Sequence, residues 1–125
     1  MRHEPYSAEV RRRFADTVHA GTLADGLAVL ETAQGVRLEL SARLKRGRLE
    51  ALRFRAWGCP HLIAAAEAFC EAYEGADVRE LEDFSGAPIS RKLDVPVEKA
   101  GRILVLEDAV RSLGKTLNTP DRAGT

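Results

Sequence analysis

The strongest constraint on the fold of this chain is a strict alternation of apolar and polar residues at positions 36–43. The apolar members are Val36, Leu38, Leu40 and Ala42, and Arg37, Glu39, Ser41 and Arg43 lie between them. Successive side chains of a β-strand point to opposite faces, so this pattern predicts a strand with one buried and one solvated face. Strands of this kind are typical of antiparallel sheets.

Two further strands are predicted on either side of this one. Residues 27–31 are short, apolar and compatible with a strand, and Gln34-Gly35 then forms a plausible turn. After residue 43, Gly47 supplies the positive φ of a hairpin turn, and residues 49–57 alternate again. The simplest arrangement of the three strands is an antiparallel meander.

Helices precede and follow the strands. Residues 7–16 form a predicted helix capped by Ser7, and a second helix runs from Pro60 to Glu74 and ends at Gly75. A short helix over 78–84 and a long one over 96–117 follow. Strands grouped together and then helices grouped together indicate an α+β fold, a three-stranded antiparallel sheet with helices packed on one face. Residues 1–117 are expected to form a single domain, and residues 118–125 a disordered tail.

Composition excludes several classes of protein. The chain has 125 residues, with 19 Lys+Arg balanced by 19 Asp+Glu, and this neutrality argues against a nucleic-acid partner. The longest apolar run, residues 62–66, is too short to span a bilayer, so no membrane partner is expected. Residues 1–5 lack the apolar core of a signal peptide. We therefore expect a cytoplasmic location.

Cys59 is the residue best placed to carry chemistry. It lies between a strand end and a helix start, where the helix dipole lowers a thiol pKa, and Gly58 allows close approach to the backbone. His61 is two residues away. The alternative is that Cys59 is a small buried apolar residue at a tight turn. Cys70 lies on the inward face of the same helix and is interpreted as core packing.

Other polar residues receive simpler interpretations. His19 is expected to be a solvated loop residue, and Glu67, Glu71 and Glu74 to lie largely on the solvent side of their helix. The basic run at residues 11–13 is interpreted as a solvated face, with a docking patch for an acidic partner as the alternative. Trp57 alternates away from the main core face, which hints at an interface.

The segment Phe-Arg-Ala-Trp-Gly-Cys-Pro-His-Leu-Ile-Ala-Ala-Ala at residues 54–66 resembles the U-type iron–sulfur cluster assembly scaffolds, the IscU family and the N-terminal domain of NifU. Those proteins carry an aromatic residue, a glycine and a cysteine at a strand end, followed by a helix rich in small residues. Residues 6–10 are similar to the family's opening helix and residues 106–110 to its last helix. The resemblance implies the SufE/NifU-like fold, which agrees with the predicted layout.

The resemblance also implies a ligand set, of which this chain keeps only part. The family binds a cluster or metal through three cysteines, an aspartate and a histidine. Residues 32–35 occupy the turn that carries the first cysteine and the aspartate, and neither is present. Cys59 matches the second cysteine. Lys99 matches a family lysine, but Gly101-Arg102 replaces the histidine and third cysteine that follow it.

The resemblance therefore implies an iron–sulfur cluster, iron or zinc bound at Cys59 and His61, at a site from which two of three ligand cysteines are missing. Gly58, Gln34, Lys99 and Arg102 would flank that site. Arg102 places a positive charge where the family has a thiolate, which repels a cation and stabilises a thiolate or another anion.

Three functions remain open on the sequence. The first is a scaffold for iron–sulfur cluster assembly that is not an enzyme, in which Cys59 is the retained ligand or accepts sulfur from a cysteine desulfurase. A homodimer could then share one cluster between two chains. The second is a cluster-free adaptor that binds a desulfurase, a chaperone or another partner. The third and least favoured is a thiol enzyme with His61 as base, because no third group is available to orient that base.

Overall fold

The structure is a computed structural model that describes residues 6–33 and 35–118. Its helices and strands are α1 (Ala8–Ala15), β1 (Leu27–Ala33), β2 (Val36–Lys45), β3 (Arg48–Trp57), α2 (Pro60–Tyr73), α3 (Ala87–Leu93) and α4 (Ala100–Leu117). Single 3-10 turns lie at Val78–Leu81 and Val97–Lys99. The predicted turn residue Gln34 and residues 119–125 of the predicted tail lie outside the described residues, and Asn118 caps α4.

The predicted antiparallel meander is confirmed. The strand order is β1-β2-β3, and Leu40 in the central strand lies opposite Val29 on one side and Phe54 on the other. The β2–β3 hairpin turns through two residues with positive φ, Arg46 at 55° and Gly47 at 77°. This two-residue geometry matches the natural twist of paired strands and fixes their register.

The helices cover one face of the sheet, which confirms the α+β prediction. α2 packs against β3, α4 packs against β1 and β2, and α1 packs onto α2. α2 is enclosed on most sides, because its alanines allow neighbouring elements to approach closely, and Ala64, Ala65 and Ala66 are fully buried. The loop before β1 crosses the opposite face of the sheet, where the Leu23 N–H donates to Ser41 Oγ (3.1 Å).

The predicted helix at residues 78–84 is wrong in extent. Asp77 caps the segment as predicted, since its side chain accepts a hydrogen bond from the Arg79 N–H, but only one 3-10 turn follows. Val78 and Leu81 are both buried, and a 3-10 turn places residues three apart on the same side. Phe84 lies beyond the turn and packs edge-on against Phe69 with ring centroids 5.4 Å apart.

Cys70 is completely buried in the core, which confirms its interpretation as a packing residue. Burial, together with the negative charges of Glu67 and Glu74, raises the pKa of the Cys70 thiol far above its usual value. Both cysteines are free thiols. Within the described part of the chain, no helix is both long enough and apolar enough to cross a bilayer.

Candidate functional site

The junction between β3 and α2 is built around Gly58. Its φ of +108° is rarely adopted by residues with a side chain. A Cβ at this position would lie 2.9 Å from Val36 Cγ1 and 3.1 Å from the Gly35 carbonyl oxygen. The turn between β1 and β2 therefore packs directly against the backbone that precedes Cys59. Gln34, the predicted flanking residue in that turn, lies outside the described residues.

Cys59 is the N-cap residue of α2. Its extended backbone (φ −159°) lets the Cys59 carbonyl oxygen accept the first helical hydrogen bond, from the Ile63 N–H at 3.1 Å. Pro60 then occupies the first helical position as predicted. The cysteine is only 5% exposed. The thiol thus combines a position at the positive end of a helix with almost complete exclusion of solvent.

The structure brings His61 next to this thiol. His61 Nδ1 lies 4.0 Å from Cys59 Sγ, and the imidazole is 2% exposed. The Tyr6 ring covers it at a centroid separation of 5.0 Å, a contact that the sequence spacing did not indicate. His61 Nε2 is buried and has no hydrogen-bond partner among the described residues. A buried nitrogen without a partner is costly, so this atom is available to a ligand or to a moving proton.

Lys99 and Arg102 act on this histidine through their charge. Burial lowers the pKa of His61, and the positive charges of Lys99 and then Arg102 lower it further, against a weaker opposing effect of Glu98. The imidazole is therefore neutral at neutral pH. Arg102 Nε is also buried without a partner in the described part of the chain. Both predicted flanking cations thus influence the site.

These residues do not fit an iron–sulfur cluster held by one chain. Such a cluster normally takes about four protein ligands, mostly thiolates. Among the described residues there is no group of three or more His, Cys, Asp or Glu side chains arranged to hold a metal ion. Cys59 and His61 supply one thiol and one imidazole, and the nearby Lys99 and Arg102 charges disfavour a cation. Positive charges of this kind suit an anionic ligand better than a cation.

A second polar cluster corrects two sequence predictions. His19 is not a solvated loop residue, because its side chain is 12% exposed and Nδ1 lies 2.6 Å from Glu67 Oε2. Its Nε2 lies 3.2 Å from Glu74 Oε1. Glu67 was predicted on the solvent side of α2 but is 1% exposed, because the loop of His19 folds over it. Sequence periodicity gave no signal for a pair 48 residues apart.

The predicted solvated basic face is also wrong at one of its three positions. Arg13 is 2% exposed, and its guanidinium forms ion pairs with Glu9 and with Glu71, the latter at 2.7 Å. Arg11 and Arg12 are exposed. Arg13 is buried because α1 packs onto α2, where the Glu71 carboxylate receives its charge.

Comparison with known proteins agrees with this fold. The family model of the NifU-like N terminal domain matches residues 5–114. The chain is 25% identical over 88 residues to the mitochondrial iron sulfur cluster assembly protein 1 of Eremothecium gossypii, covering 70% of this chain and 57% of that protein. It is 25% identical over 84 residues to the mitochondrial iron sulfur cluster assembly protein 2 of Saccharomyces cerevisiae, covering 67% and 54%. The chain thus spans little more than half the length of these curated relatives.

Solved structures show the same architecture. A candidate iron–sulfur cluster assembly scaffold protein for the SUF system from Fervidobacterium islandicum superposes with a TM-score of 0.67 at 15% identity, covering 84% of this chain and 93% of that one. A nitrogen-fixing NifU-like protein (N-terminal) from Brucella abortus gives a TM-score of 0.56 at 11% identity, with coverage of 87% and 80%. At these identities the likeness concerns the fold. With the family match over residues 5–114, it establishes that the chain belongs to the NifU-like N-terminal domain family.

Proposed function

We propose that this protein acts in iron–sulfur cluster assembly as a scaffold-family member that receives sulfur on Cys59. One observation carries the proposal. The Cys59 thiol lies at the start of α2, 4.0 Å from an imidazole that is kept neutral by burial and by Lys99 and Arg102. This environment suits a sulfur anion better than a metal cation.

The sulfur transfer would be a thiol–persulfide exchange. The Cys59 proton is released to solvent as the site opens to the donor, because His61, whose pKa is lowered by burial and by Lys99 and Arg102, is a poor proton acceptor. The Cys59 thiolate then attacks the outer sulfur of a persulfide on a sulfur-donor protein, such as a cysteine desulfurase. The donor's S–S bond breaks as the new S–S bond forms on Cys59, and the donor cysteine leaves as a thiolate. The exchange needs no external oxidant or reductant.

Two charges near the site would support this exchange. The positive charge of Lys99 and Arg102, which disfavours an imidazolium at His61, would also favour an anionic persulfide over a metal cation. Because Cys59 is only 5% exposed, the donor must reach it through a local opening of the surrounding residues. The same enclosure would protect a bound persulfide from other thiols in solution.

A homodimer is the arrangement in which this site could hold a cluster as cargo. Two copies would bring two Cys59 thiols and two His61 imidazoles to one cluster, which matches the usual number of ligands. The positive charges at Lys99 and Arg102 would be doubled as well. We therefore place cluster binding second to sulfur acceptance.

The second candidate function is a cluster-free adaptor of the same fold that binds a desulfurase, a chaperone or another partner. The lack of a three-ligand metal group among the described residues favours it. Neither candidate requires catalysis by this chain, and a cytoplasmic location stays a prediction.

The test is to purify the protein without oxygen and to measure iron, acid-labile sulfide and persulfide. Mass spectrometry after incubation with a cysteine desulfurase and cysteine should show one added sulfur atom on the Cys59 peptide. Cys59→Ser should abolish this addition, whereas Cys70→Ala should retain it because Cys70 is enclosed in the core. Equal labelling of Cys59→Ser, or no labelling of the native protein, would leave only the adaptor.

A further inference from the structure

A groove of about 370 Å³ runs along the outer edge of β3, next to the Cys59 site. Its walls include Phe14 from α1 and Ile63 from the first turn of α2, and Trp57 lies at one end. Phe14 is 49% exposed and Trp57 is 39% exposed. Two large apolar side chains are thus left open to solvent around a concave surface, which is a common feature of docking sites.

The edge of β3 is covered along most of its length but is open in this groove. The Phe54 N–H donates to the His19 carbonyl oxygen (3.0 Å), and the Phe54 carbonyl oxygen accepts from the Gly21 N–H (2.7 Å). Two residues earlier in β3, the Leu52 N–H donates to Glu74 Oε2 (2.9 Å). Backbone groups alternate in direction along a strand, so those of Ala56 also point to this edge. No described residue pairs with them.

Positive charge lies around Trp57, because Arg55 lines the groove and Arg37 contacts the same tryptophan ring. The guanidinium groups of Arg37 and Arg55 lie 4.9 and 5.0 Å from the centre of the Trp57 ring. Within the described residues, neither arginine forms an ion pair with a carboxylate. Glu39 lies opposite Arg55 in the sheet, but its carboxylate accepts a hydrogen bond from Thr22 Oγ1 at 2.8 Å.

We propose that this groove binds an extended, acidic segment of another protein. The segment would pair its backbone with Ala56 and continue the short parallel pairing of Ala20 with Phe54. An apolar side chain would enter between Phe14 and Trp57, and a carboxylate would reach Arg55.

Charge complementarity selects this occupant. A neutral apolar segment would leave Arg37 and Arg55 without a carboxylate, and a basic one would be repelled. The groove ends at Trp57, two residues before Cys59, so a bound segment would hold its parent protein beside the thiol. The assignment does not depend on what Cys59 carries.

The experiment uses Trp57 as the reporter, because it is the only tryptophan in the chain. The probe is the peptide acetyl-Asp-Asp-Val-Leu-Val-Glu-Glu-amide, titrated into the native protein while Trp57 emission is recorded. The control peptide has the same sequence with lysine at all four acidic positions. We expect a saturable change in emission with the acidic peptide and none with the basic one.

Two variants and one modified peptide make the test specific. Arg55→Glu should weaken binding of the acidic peptide by roughly tenfold or more, since it places like charges together. Arg91→Glu makes the same charge change on the exposed surface of α3 and should have little effect. A peptide N-methylated at its central leucine should bind more weakly, because it loses a donor for the strand edge.

Several outcomes would overturn the proposal. They are unchanged emission with the acidic peptide at millimolar concentration, equal weakening by both arginine variants, and undiminished binding of the N-methylated peptide. A change in emission caused by raising the protein concentration alone would identify a second copy of this chain as the occupant. Sulfur labelling of Cys59 does not enter any of these readouts.

Discussion

Position 58 requires glycine for two separate reasons. Its φ is positive, and there is no space for a side chain. Replacement by alanine would strain the backbone and push a methyl group against Val36 Cγ1 at 2.9 Å. We expect Gly58→Ala to lower the free energy of unfolding by about 2–4 kcal/mol. Urea denaturation followed by circular dichroism measures this change.

Gly75 provides the matched control. Its φ is also positive, at +94°, but a Cβ there would meet no atom within 4 Å. Gly75→Ala should therefore cost only the backbone strain, about 1 kcal/mol. Equal costs for the two variants would show that contact with the β1–β2 turn contributes nothing at Gly58.

Arg13 is a charged residue that acts as part of the core. Removing its side chain in Arg13→Ala would leave a gap between α1 and α2 and would separate Glu71 from its partner. We expect a loss of about 2–3 kcal/mol in the free energy of unfolding. Arg12→Ala is the control, because that side chain is 56% exposed and its ion pair with Glu9 is long, at 3.5 Å. It should change stability by less than about 0.5 kcal/mol, and similar losses in both variants would contradict the buried role of Arg13.

The charged residues also show where sequence reasoning stops. Ser7, Asp77 and Pro60 could be placed correctly because capping depends on residues that are adjacent in the chain. The burial of Arg13 and Glu67 could not be predicted, because each depends on a partner far away in sequence. Helical periodicity describes one helix in solvent and does not include a second element that covers its polar side.

The loop between α1 and β1 is fastened to α2 and β3 by a connected set of polar contacts. The His19 N–H and ring bind Glu67, and the ring also reaches Glu74. Glu74 in turn accepts from the Leu52 N–H and from Arg53 Nη1 at 3.0 Å. The cluster closes one side of the β3 edge. It therefore determines where the open groove beside Ala56 begins.

This cluster gives the protein a pH-dependent element of stability. Burial alone would lower the pKa of His19, but hydrogen bonds and charge from Glu67 and then Glu74 outweigh it and raise that pKa. A group with a raised folded pKa contributes fully below its unfolded value, about 6.5, and loses that contribution as pH rises through the folded pKa. The pKa of Glu74 is lowered and that of Cys70 is raised, so neither group titrates in this range.

The variant His19→Gln isolates this contribution. The free energy of unfolding of the native protein minus that of the variant should be largest near pH 6 and should shrink toward pH 9, since the variant has no proton to lose. Glu67→Gln, which removes the buried negative charge but keeps an acceptor oxygen, should make this difference depend less on pH. Denaturation curves at four pH values are sufficient. A difference that is constant between pH 6 and pH 9 would contradict a charged His19.

In the molecule as a whole, the sequence features that determine the fold differ from those that determine which ligands the site contains. The meander, helices α1, α2 and most of α4, and the Gly58-Cys59-Pro60 junction could be predicted, because alternation, turns and caps are local properties of the chain. The sequence left open whether Cys59 is buried, because Tyr6 and the charges of Lys99 and Arg102 come to His61 only in the folded protein. The family fold is thus present around a junction where the described residues form no group of three or more potential metal ligands.

If ligand composition rather than fold prevents metal binding, one substitution should restore part of it. Arg102→Cys removes a positive charge that acts on His61 and adds a thiol at the start of α4. With Cys59 and His61 this makes three soft or borderline ligands, the number found in many zinc sites with an open position. We expect affinity for Zn²⁺, measured by competition with a chromogenic chelator, to rise by at least about tenfold. Arg91→Cys adds a thiol at an exposed position of α3 and should leave the affinity for Zn²⁺ unchanged. An equal gain in both variants would mean that the new thiol binds zinc without Cys59 and His61, and that the fold no longer directs a third ligand toward them.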